Sequence, residues 1–154
     1  AEELFRKNFT VADITGALVA DRSGWSITGG DYHSGSWPEV IDDSTDTFMR
    51  PWGSPIMFTI TFNKEYEMTG LRITARTDNA SYQNYQPNAI TIEYSLNGED
   101  YTELGTAASA DGSLLKNVPS SYVALYGSQK MKYIRITASY GSNMGVGDFN
   151  IYAK

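Results

Sequence analysis

The chain has no cysteine. Disulfides, thiolate nucleophiles and cysteine-ligated zinc are therefore excluded, although this assigns no compartment. Histidine is nearly absent too. His33 has no second histidine for a metal site and no serine or cysteine elbow beside it, so it reads as a hydrogen-bonding loop residue before a catalyst. No apolar run approaches the roughly 18 residues that span a bilayer, so no membrane insertion is expected. The N terminus shows no charged-then-apolar leader, so any signal peptide is expected to have been removed. A start at Ala1 rather than Met suggests a processed chain or a piece of something longer. Basic residues number 12 against 18 acidic ones, and none cluster. That balance excludes a nucleic-acid partner and disfavours anionic membranes. No long helical period, internal repeat or low-complexity tract occurs.

Alternation of period two is abundant instead. Residues 87–101 carry it most clearly: Ile90, Ile92 and Tyr94 alternate with Thr91, Glu93 and Ser95, which places the apolar side chains on one strand face. Pro87 favours an extended approach to that strand. Asn97-Gly98 supplies the dipeptide of a type I′ hairpin, with Tyr101 and Leu104 expected on the return strand. Trp25–Thr28 forms a short alternating strand closed by Gly29-Gly30. Further strands are predicted around Ile56–Phe62, Leu71–Arg76, Val123–Leu125, Tyr133–Ala138 and Phe149–Ala153. Short alternating strands between Gly-, Ser- and Asn-rich turns imply antiparallel sheets buried on one face, an all-β sandwich. At 154 residues the chain fits one domain with a single core. Residues 31–55, rich in Gly and Pro, read as a long folded loop, and such loops usually carry a site or a metal. Residues 1–20 read as a short helix or a lead-in from an upstream domain, which places the domain proper at 21–154.

The order of these pieces resembles the F5/8 type C (discoidin) domain, the galactose-binding-like jelly roll that includes family 32 carbohydrate-binding modules. Four segments carry the likeness: Val40-Ile-Asp-Asp-Ser-Thr-Asp-Thr-Phe, Phe58-Thr-Ile-Thr-Phe, Ile90 through Tyr101, and Lys132-Tyr-Ile-Arg-Ile. It extends from about Trp25 to Tyr152, in the style of modules on surface proteins of gut Bacteroidetes. The family usually shows Asp-Gly-Asn/Asp, then Thr, then Trp; here Asp43 and Ser44 replace the glycine and its neighbour, and Met49 stands where Trp is expected.

Two residue groups could carry chemistry. Asp42, Asp43, Asp46 and Thr47, with Asp148 near the other terminus, offer the hard oxygens that Ca²⁺ takes six to eight at a time. The resemblance implies a structural calcium held by this loop and an acidic residue of the last strand, positions matched by Asp42, Asp46, Thr47 and Asp148. A solvated acidic turn with Asx-type caps is the alternative. Sugar recognition needs an aromatic face for the C–H patch of a pyranose and forked or planar groups for its hydroxyls. Arg76, Asp78, Asn79, Tyr82 and Tyr85 share one loop, Tyr140 and Asn143 another, and His33, Trp37 and Trp52 the long loop. In the resembling modules the ligand sits where comparable loops meet at one end of the sandwich. Trp25 reads as core, Trp52 could equally anchor a loop, and exposed tyrosines can be ordinary surface. Glu93, Glu99, Asp100 and Glu103 lie on an outward strand face and around a hairpin tip, which argues for solvation over a glycosidase pair.

The expectation is therefore a non-catalytic carbohydrate-binding module. It would belong to a larger secreted or cell-surface protein, outer membrane-attached or periplasmic in a Gram-negative bacterium. Its partners would be a glycan and other domains of the same polypeptide. A discoidin-like domain for structural or protein contacts, without sugar binding, is the competing expectation.

Overall fold

The computed structural model describes residues 4–44, 47–51, 53–75, 86–115, 118–140 and 145–154, apart from the side chains of residues 33 and 34. Among the described residues nine strands follow in chain order: β1 (Ala17–Leu18), β2 (Ser26–Gly29), β3 (Tyr32–Gly35), β4 (Met49–Pro51), β5 (Ile56–Ala75), β6 (Ala89–Ser95), β7 (Thr102–Ala108), β8 (Ser120–Ser139) and β9 (Val146–Ala153). Every pairing is antiparallel. The two 20-residue strands organise the rest. Ile56–Thr61 of β5 pairs with Ala138–Tyr133 of β8, and after irregularities at Thr61/Tyr66 the pair resumes from Tyr66↔Met131 to Thr74↔Ser120. The first half carries β2 on one side and β6, then β7, on the other. The second half carries β9, with β4 and β3 beyond it and β1 against its end. Two layers thus share two long bent strands, an antiparallel jelly-roll β-sandwich.

The period-two pattern explains the layers. Ile56, Phe58, Ile60 and Phe62 are buried while Met57, Thr59 and Thr61 face outward, and one cluster joins them to Ile90, Ile92, Ile134, Ile136, Phe149 and Ile151. The sequence predicts two strands in 56–76 and two in 123–138; each pair is one continuous strand. Asn63-Lys64-Glu65 breaks the alternation, because a strand changing layers must turn its apolar face there.

Three local expectations change. The connection after β6 is not a two-residue type I′ turn, since β7 starts only at Thr102. Gly98 has φ +80, but Asn97 does not share the positive φ that type I′ needs. Instead Ser95 Oγ accepts from the Asn97 and Gly98 amides, and Asn97 Oδ1 from those of Glu99 and Asp100. The long loop 31–55 contains β3, β4 and a 3₁₀ turn at Trp37–Ile41. Residues 4–20 are not a detached lead-in. Phe5 bridges to Leu125, Arg6 N donates to Ala124 O, and Phe5, Phe9 and Ile14 are buried.

On the outer face, Arg135 grips Glu93 through Nε and Nη2 at 2.9 and 2.7 Å while stacking 4.0 Å from the Tyr101 ring centroid. The guanidinium hydrogen bonds hold the Glu93 carboxyl below its ordinary range, against a smaller opposing effect of burial. Its folded pKa is depressed, so the stabilisation is present above about pH 4.5 and disappears as pH falls through the folded value. Glu93→Gln should therefore lower stability at pH 7 by under about 1 kcal/mol, since both partners are part-exposed. In urea titrations the gap from the parent should narrow as pH falls below the ordinary glutamate range; a gap that stays equal from pH 7 into that acid range contradicts the assignment.

Candidate functional site

One end of the sandwich gathers the chain segments that carry the sugar-binding candidates. Ala75 at the end of β5 pairs with Val146 at the start of β9, so the segments leaving one and approaching the other begin side by side. Met49 of β4 also pairs with Val146, and Pro51 pairs with Tyr32. Ala89 faces Ser139, which brings the start of β6 to the end of β8. Arg76, Asn79, Tyr82, Tyr85, Trp52 and Asn143 lie outside the described residues. His33 has its backbone in β3 beside β4; its side chain is also outside the description.

Tyr140 is the candidate whose surroundings are clearest. Its hydroxyl donates to Gly53 O, its amide donates to Ser54 Oγ at 3.2 Å, and Ser54 Oγ donates back to Tyr140 O at 3.3 Å. The 53–55 turn and the chain after β8 are thereby tied together. Burial pushes the phenol above its ordinary pKa, so the hydroxyl remains a donor at neutral pH. With that donor spent on Gly53, the ring is what Tyr140 can offer a ligand.

Trp37 leaves the sugar-binding set. Its indole is 6% exposed, packs 5.3 Å from Phe58 and donates Nε1–H to Gly30 O at 2.8 Å. A Cβ on Gly29 would fall 2.3 Å from the indole, so the glycine is what lets the ring close beneath the β2 end. A residue so held has no face for a pyranose. Trp25 is core as expected, 8% exposed, edge-on to Phe62 at 4.7 Å and bonded to Asn63 Oδ1.

The metal candidates divide. Thr47 Oγ1 donates to Asp42 Oδ2 and lies 3.4 Å from Glu39 O and 3.5 Å from Ser44 O. One hydroxyl proton faces three acceptors, an oxygen surplus that fits a hard cation. Asp46 is outside the described residues. Asp148 does not fit: Oδ1 accepts from Arg22 Nη1 at 2.7 Å and Oδ2 from Arg72 Nη2 at 3.0 Å. A divalent ion against a carboxylate already held by two guanidinium groups would meet their repulsion. Arg22 also reaches Phe149 O at 2.6 Å and Asp43 Oδ1 at 2.6 Å. Burial pushes the Asp148 carboxyl above its ordinary range, and the two arginines pull against that without reversing it. Among the described residues no group of three His, Cys, Asp or Glu side chains could hold a metal. Nothing in the order of residues marks the Arg22–Asp148 pair, whose members lie 126 residues apart.

Comparison with known families matches residues 21–149 to the F5/8 type C domain. Among solved structures, the family 32 carbohydrate-binding module of Clostridium perfringens NanJ, in complex with galactose, is similar at 16% identity. The match covers 90% of this chain and 99% of that one, with a TM-score of 0.72. An F5/8 type C domain from Bacteroides fragilis is similar at 20% identity, covering 90% and 97%, with a TM-score of 0.72. A C. perfringens module, CpGH89CBM32-5, in complex with GalNAc-β-1,3-galactose, is similar at 14% identity, covering 84% and 95%, with a TM-score of 0.70. At these identities the likeness shows the fold. No curated protein sequence matched.

Proposed function

From the premise that this chain belongs to the F5/8 type C domain family, we propose that it is a non-catalytic module binding glycan at the loop end of its sandwich. The observation that carries this is the strand register. It sets the end of β5 beside the start of β9 and the start of β6 beside the end of β8, and the segments next to these in sequence carry an arginine, two asparagines and several aromatics, the kit for hydroxyls and a pyranose face. Two similar modules are named as complexes with galactose and with GalNAc-β-1,3-galactose, which supports neutral sugars as the ligand class. The chain's charge of −6 agrees, because it repels acidic glycans. A non-catalytic role is supported by Glu93, whose carboxylate is occupied by Arg135, and by the place of Glu99 and Asp100 at a hairpin tip.

Calcium is part of the proposal in a structural role. Asp42, Thr47 and the carbonyls of Glu39 and Ser44 would hold it, with Asp46 available from the same loop and Asp148 excluded. Secretion or display at a cell surface, linked to other domains, fits a shallow module that gains avidity from neighbours.

The test is a glycan-array screen of the folded protein, with and without chelator, beside Arg76→Ala. Binding to a defined neutral sugar should fall at least about tenfold in Arg76→Ala, the worth of one or two charge-assisted hydrogen bonds. Chelator should lower the melting temperature as well as binding. Silence across the array would favour the competing reading, a protein-contact domain. Two observations already lean that way: Met49 is fully buried where the family usually has Trp, and Trp37 is sealed in the core.

A further inference from the structure

The outer face of the sandwich carries a cleft beside the loop end that the sugar-binding candidates do not use. It has a volume of about 460 Å³, within the roughly 300–1,000 Å³ of small-molecule sites. Its walls come from the end of β2 and the start of β5. Thr28 pairs with Thr59, so both hydroxyl side chains point to the same outer face. Met57, two residues before Thr59, shares that face and is 50% exposed. Gly30 and Asp31 continue the β2 edge, and Pro55 closes the side nearest the loop end.

The cleft follows from packing beneath it. Gly29 must lack a side chain because Trp37 lies under it, and a Cβ on Gly30 would come 2.9 Å from Ile56 Cδ1. Both missing side chains would point to the core, so the two glycines let the end of β2 pack closely onto Trp37 and Ile56. The depression has an apolar side, the Met57 thioether and the Pro55 ring, and a polar side, two threonine hydroxyls and the Asp31 carboxylate. A carboxylate accepts from two neighbouring hydroxyls, and threonine can both donate and accept. That is a complement to a pyranose, with C–H groups against Met57 and a vicinal diol on Asp31. Asp31 and the chain's negative charge repel uronic and sialic acids, so the occupant is a neutral hexose or N-acetylhexosamine.

Position supplies the remaining argument. Pro55 follows Ser54, whose hydroxyl bonds the backbone of Tyr140, so the cleft adjoins the loop-end site. We propose that the Thr28–Asp31/Pro55–Thr59 cleft is a second subsite, taking the sugar unit next to the one held at the loop end of a neutral oligosaccharide. This rests on the glycan-binding reading above.

The experiment is an amide-resolved NMR titration of the whole chain with galactose and, separately, with GalNAc-β-1,3-galactose. The disaccharide should bind roughly tenfold more tightly, as one or two added hydrogen bonds would give. Gly29–Asp31 and Met57–Thr59 amides should shift with the disaccharide, while galactose shifts only amides at the loop end. Met57→Ala and Asp31→Asn are exposed substitutions that should leave the fold intact. Each should bring the ratio of the two affinities towards one. Loop-end shifts without shifts in the cleft, or a ratio unchanged in both variants, overturns the second subsite and leaves the glycan-binding reading standing. Absence of any shift with either sugar overturns both.

Discussion

Removing residues 1–20 should leave a chain that no longer unfolds cooperatively, although the family match begins only at residue 21. The segment supplies three buried apolar side chains, Phe5, Phe9 and Ile14. Phe5 packs in the main core, and Gly105 leaves the room its ring occupies, since a Cβ there would come 2.9 Å from the ring. Phe9 and Ile14 form a second cluster with Ala124. Truncating one buried Phe to Ala costs about 3–5 kcal/mol, and domains of this kind are stable by roughly 5–15 kcal/mol. Losing all three, with the backbone bonds from Arg6 to Ala124 and from Tyr126 to Leu4, removes a large share of the total. Thermal unfolding of the 21–154 chain followed by near-ultraviolet circular dichroism should show a weak, broad transition or none. A sharp melt within a few degrees of the parent would mean that these contacts contribute little. Phe5→Ala alone should lie between the two chains.

The sequence could not reveal this because residues 4–20 have no period. Their contacts are single anchors, one bridge at Phe5 and two residues of β1 against Ala153 and Tyr152, too short for alternation to register. Where a strand runs for six or more residues with one face buried, the pattern was legible. Ile56–Phe62, Ile90–Tyr94 and Ile134–Ala138 lie in strands with their inward faces as expected. The merging of neighbouring segments into β5 and β8 was not legible, because a strand that changes layer looks, residue by residue, like two strands and a turn. At the candidate site, aromatic identity misled once. Trp37 in a Gly- and Pro-rich loop has the composition of a stacking platform, and only Gly29 packed on its ring and the Gly30 carbonyl that accepts from its Nε1 reveal a core residue. The acidic cluster divided for a similar reason: composition counts Asp148 among free oxygens, while packing assigns it two arginines.

Arg22→Met should cost about 3–5 kcal/mol at neutral pH, the largest loss expected from a single polar substitution here. The guanidinium is 2% exposed and binds a carboxylate that is 3% exposed. Methionine keeps much of the volume, so the loss isolates the charge. It leaves Asp148 with Arg72 alone and removes a donor from Phe149 O. The same guanidinium bonds Asp43 at 2.6 Å, yet the Asp43 side chain is 75% exposed, so Asp43→Asn, which keeps a residue tolerant of the φ of 61 there, should cost under about 1 kcal/mol. One arginine thus provides both the test and its control.

The pH dependence identifies the cause. Burial already raises the folded pKa of Asp148 above its ordinary value of 3.8, so the native state holds that proton more readily than the unfolded chain. The parent therefore loses stability from this group as pH rises from the ordinary carboxylate range through the folded value. Without Arg22 the carboxyl should rise further, and the charged form should become costlier still. The penalty of Arg22→Met should be greatest near pH 7 and should shrink on acidification as Asp148 takes up its proton. Urea midpoints at pH 7 and near pH 4 would measure it. A loss equal at both pH values would assign the effect to the packing of the arginine stem, and one below about 1 kcal/mol at pH 7 would mean that the buried pair holds neither β9 nor the loop at Asp43 in place.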